Sequence, residues 1–143
     1  MEHASGKLIV RIEEGVIAED AASHLADARS GAVASFRGVV RAHDGGRDVA
    51  AIEYECYREM AEKEMTGVLQ DAMSRHDLHA ALIIHRNGKV PAGETSVLVA
   101  VAAAHRRPAF DAVREIVDAL KTRVPIWKKE HYRDGSSDWL LPR

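Results

Sequence analysis

The densest run of chemistry-bearing side chains is Lys121-Thr122-Arg123-Val124-Pro125-Ile126-Trp127-Lys128-Lys129-Glu130. Lys121, Arg123, Lys128 and Lys129 place four cations within nine residues, interleaved with Trp127. If Lys121, Lys128 and Lys129 converge, they can hold an anionic ligand. A lysine among other cations also gives up its proton more readily, which makes it a usable base or nucleophile near neutral pH. The alternative is structural. Cations in the last turn of a helix complement its dipole, and a basic stretch can simply be solvated surface.

A second cluster, Ala104-His105-Arg106-Arg107-Pro108, joins an apolar run to an expected helix start. Free backbone N–H groups at a helix start attract anions, and His105 and Arg106 would add to that field. The alternative is a pair of solvated arginines beside an ordinary loop histidine. A third cluster, Phe36-Arg37-Gly38-Val39-Val40-Arg41-Ala42-His43, runs into a glycine-containing loop. Arg41 and His43 fall at a strand end, where side chains can reach a pocket. Gly38 inside a strand marks a bulge or a close backbone approach. Here the alternative is a strand whose polar residues face water.

Other candidates carry less. His76-Asp77-Leu78-His79 has metal-like residues, but the spacing is short and no third ligand is evident, so a helix-end surface pair fits better. Cys56 could carry a persulfide, yet it stands in a predicted strand without an adjacent base, as a small core residue would. There is no GxSxG, P-loop or GxGxxG pattern. Neither a metal nor a cofactor is expected.

The elements that must position these groups follow from periodicity and turn residues. Lys7–Ile12 reads as a first strand. Ala18–Arg29, with Glu19 and Asp20 at its start and Gly31 after it, reads as a short helix. Ala32–Arg41 and Val49–Tyr57 read as strands, and the Asp44-Gly45-Gly46 turn suggests that they pair antiparallel. Arg58–Arg75 is helical, with Ala61, Met65, Val68, Leu69 and Ala72 on one face. Ala80–His85 is a strand, Pro91-Ala92-Gly93 a turn, and Ser96–Ala104 a central strand buried on both faces. Pro108 opens a helix with the stripe Phe110, Val113, Ile116, Val117 and Leu120, and Pro125 ends it. Val124–Lys129 is extended, and Asp138–Leu141 is a last short strand. The order predicts an α+β fold: a single domain over residues 1–143, with helices packed on a largely antiparallel sheet.

Bulk properties narrow the function classes. A net charge of −2 argues against binding polyanions by overall charge, so an anion site must be local. The single cysteine forbids an internal disulfide and suits a reducing compartment. Met1–Lys7 lacks an apolar stretch of signal-peptide type. The longest apolar run, Val97–Ala104, falls well short of the roughly 20 residues a membrane helix needs. A cytoplasmic protein is expected, with neither membrane nor nucleic acid as a partner.

Four segments resemble one family. Leu120–Glu130 is similar to the L-K-T-R-x-P-x-W-K-[KR]-E signature of molybdopterin synthase large, catalytic subunits. Ala104-His105-Arg106 with Ala109-Phe110 resembles the family's A-H-R-x-x-A-F. Ile84–Gly88 resembles its I-H-R-x-G, and Phe36–Arg41 its F-x-G-x-V-R. The four occur in the family's order over Gly31–Glu130. The resemblance implies a sulfurtransferase of molybdenum cofactor biosynthesis. It converts cyclic pyranopterin monophosphate to molybdopterin by forming the dithiolene. The sulfur comes from the C-terminal Gly-Gly thiocarboxylate of a small ubiquitin-like sulfur-carrier subunit, in a heterotetramer built on a homodimer of large subunits. It further implies that Lys121 and Lys128 are catalytic. Lys121 would serve at the thiocarboxylate carbonyl as acid–base or transient acyl acceptor, and Lys128 would assist protonation of the pterin. Arg41, His105 and Arg106 would bind the anion and pterin, with Lys129 and Glu130 completing the pocket wall. Val39 and Ala42 depart from members that carry lysine and asparagine there, which removes one cation from the expected phosphate contacts.

Without the resemblance, the basic cluster also suits a nucleic-acid or nucleotide binding module, with the two tryptophans stacking bases. The 5% aromatic content and the negative net charge count against it. A sulfurtransferase acting through Cys56 is a third reading.

Overall fold

A computed structural model describes residues 6–140. The Leu141 end of the predicted last strand and residues 1–5 of the N-terminal stretch lie outside them. The described residues form two sheets and two helices. Sheet one has the strand order β1 (Lys7–Glu13), β5 (Ala80–Arg86), β7 (Thr95–Ala103), β2 (Ala32–Val39). Only the β1–β5 pair is parallel; β5–β7 and β7–β2 are antiparallel. Sheet two is built on β4 (Arg47–Cys56), flanked by β6 (Gly88–Pro91) and β8 (Ile126–Tyr132). The two-residue strand β3 (His43–Asp44) pairs with the start of β4, and β9 (Ser137–Trp139) pairs with β8. The expected α+β architecture with a largely antiparallel sheet is what forms.

The central strands of sheet one are buried on both faces, and their sequence shows why. Every residue of β5 is buried, and the apolar run of β7 is buried from Leu98 to Ala103. One face packs on α1 (Arg58–Arg75) and α2 (Arg106–Arg123), joining Ile12, Ile83, Val99 and Val101 to Met65, Leu69 and Ile116. α1 buries the face expected of it: Ala61, Met65, Val68, Leu69 and Ala72, with Met73. Fully burying a side chain of the Leu or Met class is worth roughly 1.5–3 kcal/mol, so this one face anchors the helix. α2 differs from its predicted stripe. Its buried residues are Ala109, Ala112 and Ile116, while Phe110 is 66% exposed. The alanines let the helix lie close on the sheet. Val113, Val117 and Leu120 pack only partly, on the flank of that contact.

The opposite face of sheet one is covered by chain without regular structure. Ile17 and Leu25 pack on Leu82, Ile84, Leu98 and Ala100. The predicted helix over Ala18–Arg29 does not form. Successive turns replace it, with Ala21, Ser23 and Leu25 N–H donating to the carbonyls of Ala18, Asp20 and Ala22. Asp27 then draws the chain out of helical geometry by accepting from the Arg29 N–H at 2.8 Å and from its guanidinium. Gly31 is not a helix stop. It sits against the Ala104 carbonyl, where a Cβ would clash, and its N–H donates to Ala103 O at 2.9 Å.

The expected β2–β4 hairpin is also absent. β2 pairs with β7 in register up to Gly38, where a bulge falls between Gly38 and Val39. A Cβ on Gly38 would lie 2.6 Å from Val97 Cγ1, so the close approach anticipated at this glycine is real. Beyond the bulge, Val40 bonds to Glu94 and Gly93, and the chain crosses into sheet two. Gly45 and Gly46 (φ 58° and 81°) then make a tight turn, but it joins β3 to β4.

Candidate active site

The bulge and the end of α2 face each other across a cleft of about 820 Å³. α2 stops at Val124, whose extended φ −94°, ψ 122° suits a residue before proline. The chain then turns directly into β8. Lys121, in the last helical turn, and Lys128, on β8, therefore reach the same cleft. Arg41 arrives from the other side, just past the bulge. Its nearest acid is Asp44, at 3.8 Å, and its side chain is 75% exposed.

Strand alternation sorts the rest of the basic segment. Lys128 and Glu130 stand opposite Tyr54 and Ile52, and all four line the cleft. Glu130 is buried and accepts from Tyr132 Oη at 2.9 Å. Lys129 points to the other face of β8, with Nζ 5.4 Å from the Trp139 ring centroid. It does not line the cleft. Arg123 is a clamp and not a loose cation. It reaches back to α1, pairing with Asp71 at 2.5 Å and Glu64 at 3.8 Å. Gly67 makes room for it, since a Cβ there would lie 2.9 Å from Arg123 Nη2.

His105 and Arg106 are not brought to this cleft within the chain. His105 caps the start of α2 and Arg106 is its first residue, both exposed. Lys121 lies fifteen residues further along the helix, roughly 22 Å at 1.5 Å per residue. The other candidates are structural. His76 pairs with Glu115 at 3.0 Å, and His79 Nδ1 meets Ser30 Oγ at 3.3 Å. Cys56 is absent from the cleft lining; its thiol lies 3.7 Å from Asn87 Oδ1, and burial pushes its pKa up. Among the described residues, no group of three or more His, Cys, Asp or Glu side chains is placed to hold a metal ion. No helix among them is long and apolar enough to cross a membrane.

Two cleft residues were not singled out by spacing. His85 is 8% exposed, and its Nδ1 lies 2.8 Å from the Arg86 carbonyl. Its ring meets Tyr54 edge-on, with centroids 5.1 Å apart and planes at 74°. Burial lowers its pKa to about 4, with the charge of Lys128 adding to the effect. Tyr54 is likewise buried, which pushes its phenol up. The only advance signal was the Ile84–Gly88 motif, which carried no role for His85.

The arrangement is a concave cleft whose cations can hold an anion. One arginine and two lysines come from three separated elements around a floor of buried, neutral rings. Residues 12–123 match the family model described as MoaE protein. A molybdopterin synthase catalytic subunit from Oryza sativa subsp. indica is 45% identical over 112 residues, covering 78% of this chain and 58% of the relative. One from Bos taurus is 37% identical over 139 residues, covering 97% and 74%. The chain thus spans little more than half the length of the rice relative. The crystal structure of molybdopterin synthase from Staphylococcus aureus superposes with a TM-score of 0.86 at 31% identity, covering 91% of this chain and 95% of that one. The matched span takes in the bulge, β4, β5 and α2 and ends before β8, which carries Lys128 and Glu130; on the family match and these identities the chain belongs to the MoaE protein family.

Proposed function

We propose that the chain, acting as one domain over residues 1–143, is the catalytic subunit of a cytoplasmic molybdopterin synthase. It transfers sulfur from the C-terminal thiocarboxylate of a small ubiquitin-like subunit to cyclic pyranopterin monophosphate and so forms the dithiolene of molybdopterin. The observation that carries the reading is the convergence of Arg41, Lys121 and Lys128 on one cleft, from positions up to 87 residues apart in the sequence. Relatives named as molybdopterin synthase catalytic subunits, at 37–45% identity, support it.

The roles follow from place and chemistry. Arg41 at the rim holds the substrate phosphate with its fork of donors. Lys121 serves the thiocarboxylate carbonyl, and Lys128 protonates the oxygen that leaves the pterin precursor, as water or with the phosphate, as each C–S bond replaces a C–O bond. Water then cleaves the acyl–sulfur bond and releases the partner's tail as a carboxylate. Glu130 and Tyr54 wall the site. His105 and Arg106 lie too far along α2 to join in from the same chain, so a homodimer delivers them from the second copy, within a heterotetramer. Lys129 supports the back of β8 through Trp139.

The test is reconstitution. The full chain is mixed with a thiocarboxylated small subunit and the cyclic precursor, and dithiolene is assayed. Product should form only when all three are present. Product without the small subunit would overturn the sulfur-carrier scheme. Failure by a chain that binds both partner and precursor would overturn the enzyme.

A further inference from the structure

We propose that His85 is a positioning residue for Lys128: its neutral, Nδ1-protonated ring offers Nε2 to the Lys128 ammonium as a hydrogen-bond acceptor and keeps that lysine protonated and aimed into the cleft. This rests on the cleft being the reaction site.

The tautomer follows from the contact at the other nitrogen. The Arg86 carbonyl 2.8 Å from Nδ1 can only accept, so Nδ1 carries the hydrogen. In a neutral ring, Nε2 is then a lone pair. Three facts bring Lys128 close to that ring. His85 and Lys128 line the same cleft. Lys128 is the cross-strand partner of Tyr54, and directly opposed residues project to one face of a sheet. The Tyr54 ring meets His85 edge-on, which fixes the imidazole plane. The electrostatic coupling agrees, since the charge on Lys128 works against protonating His85. Linkage is reciprocal, so a ring that refuses a proton leaves the proton on Lys128.

Other charges face this pair from every neighbouring element. α1 contributes Glu64, and the end of α2 contributes Lys121 and Arg123. The segment after β2 brings Arg41, His43 and Asp44, and β8 itself brings Glu130. Glu64 is taken up by Arg123, and Asp44 lies beside Arg41. Arg41 and Lys121 push a lysine beside them towards its neutral amine, while the Glu130 carboxylate pulls the other way. An adjacent acceptor opposes that push and keeps Lys128 a proton donor. His85 itself neither gains nor loses a proton in the cycle. Lys128 gives its N–H proton to the substrate and takes one back from water.

The test needs neither partner nor substrate. Full-length native chain, His85→Phe and His85→Gln are labelled with a trace amine-acylating reagent from about pH 6 to about pH 11, and the Lys128 peptide is quantified by mass spectrometry. Phenylalanine keeps the ring packing on Tyr54 but removes both nitrogens, so the Lys128 midpoint should fall by roughly one pH unit. Glutamine places an amide oxygen near the Nε2 position and should restore most of the shift. In the reconstituted reaction the alkaline limb of the pH profile should move with the midpoint. An unchanged midpoint in folded His85→Phe overturns the proposal. Should neither variant fold, nitrogen NMR of the native ring decides. Protonation at Nδ1 alone across pH 5 to 8 supports the proposal, and a proton on Nε2 overturns it. If the synthase assay fails while the labelling shift appears, the proposed function falls and the positioning role stands. The reverse pattern leaves the function and removes His85.

Discussion

The two ends of α2 carry similar residues and differ in what surrounds them. His105, Arg106 and Arg107 at the start are all exposed, at the mouth of a strand buried on both faces. Lys121 and Arg123 at the finish stand against β8, α1 and the chain beyond the bulge, and Arg123 is tied to two acids. Basic composition alone does not make a site. A site needs elements distant in sequence to close round the charge, and within one chain only the finish of the helix has them. The start has the cations and the helix N-terminus but lacks the wall.

If a second copy supplies that wall, inactive chains should rescue each other. Lys121→Ala and Arg106→Ala chains should each lose most dithiolene formation, about 100-fold or more. Mixed and reassembled, they should recover about a quarter of native activity, because half the dimers are mixed and one site in each is intact. No recovery, with exchange of subunits demonstrated, would place both residues in one site of one chain and break the contrast. Acid should also act first on the cleft end. Burial holds His85 at a pKa of about 4, well below the ordinary histidine value of 6.5. The unfolded chain takes up that proton while the folded one resists, so stability is full above about pH 6.5. It falls by up to roughly 3 kcal/mol as pH drops towards 4. Urea unfolding of His85→Phe should show a flatter profile over that window, and a profile as steep as native would assign the acid sensitivity elsewhere.

A smaller effect sharpens the same comparison. Arg123→Ala should cost about 1 kcal/mol, since the clamp is partly exposed and screened by solvent. Arg107→Ala at the other end should stay within roughly 0.5 kcal/mol. Equal thermal shifts for the two would mean that the clamp does not fix the cleft end of the helix.

What could be read in advance followed the range of the forces involved. α1, β5 and β7 were plain because Met65, Leu69 and the Val97–Ala104 run carry their burial in local spacing. Ala18–Arg29 failed because alanine favours helix anywhere, while the segment's task is to drape Ile17 and Leu25 over a sheet. The β2–β4 pairing failed because the Gly38 bulge diverts the chain between sheets, and a glycine in a strand does not announce which neighbour it will meet. Phe110 looked like core until the alanines beside it took the contact. In the site, Lys121 and Lys128 were readable because a helix stop and seven residues join them. The Tyr54–His85 floor was not, since it forms only when β4 pairs with β6 and sets Tyr54 opposite Gly88, just beyond His85. Arg123 was counted among the cations because its acids sit on a helix some fifty residues earlier.

The central claim is that the cleft between the end of α2 and β8 performs the sulfur transfer. Single-turnover dithiolene formation by folded Lys121→Ala, with thiocarboxylated partner and precursor both shown to bind, tests it most directly. Native-like binding and a rate lowered by about 100-fold or more are expected. A rate within a few-fold of native would mean that the chemistry lies outside this cleft.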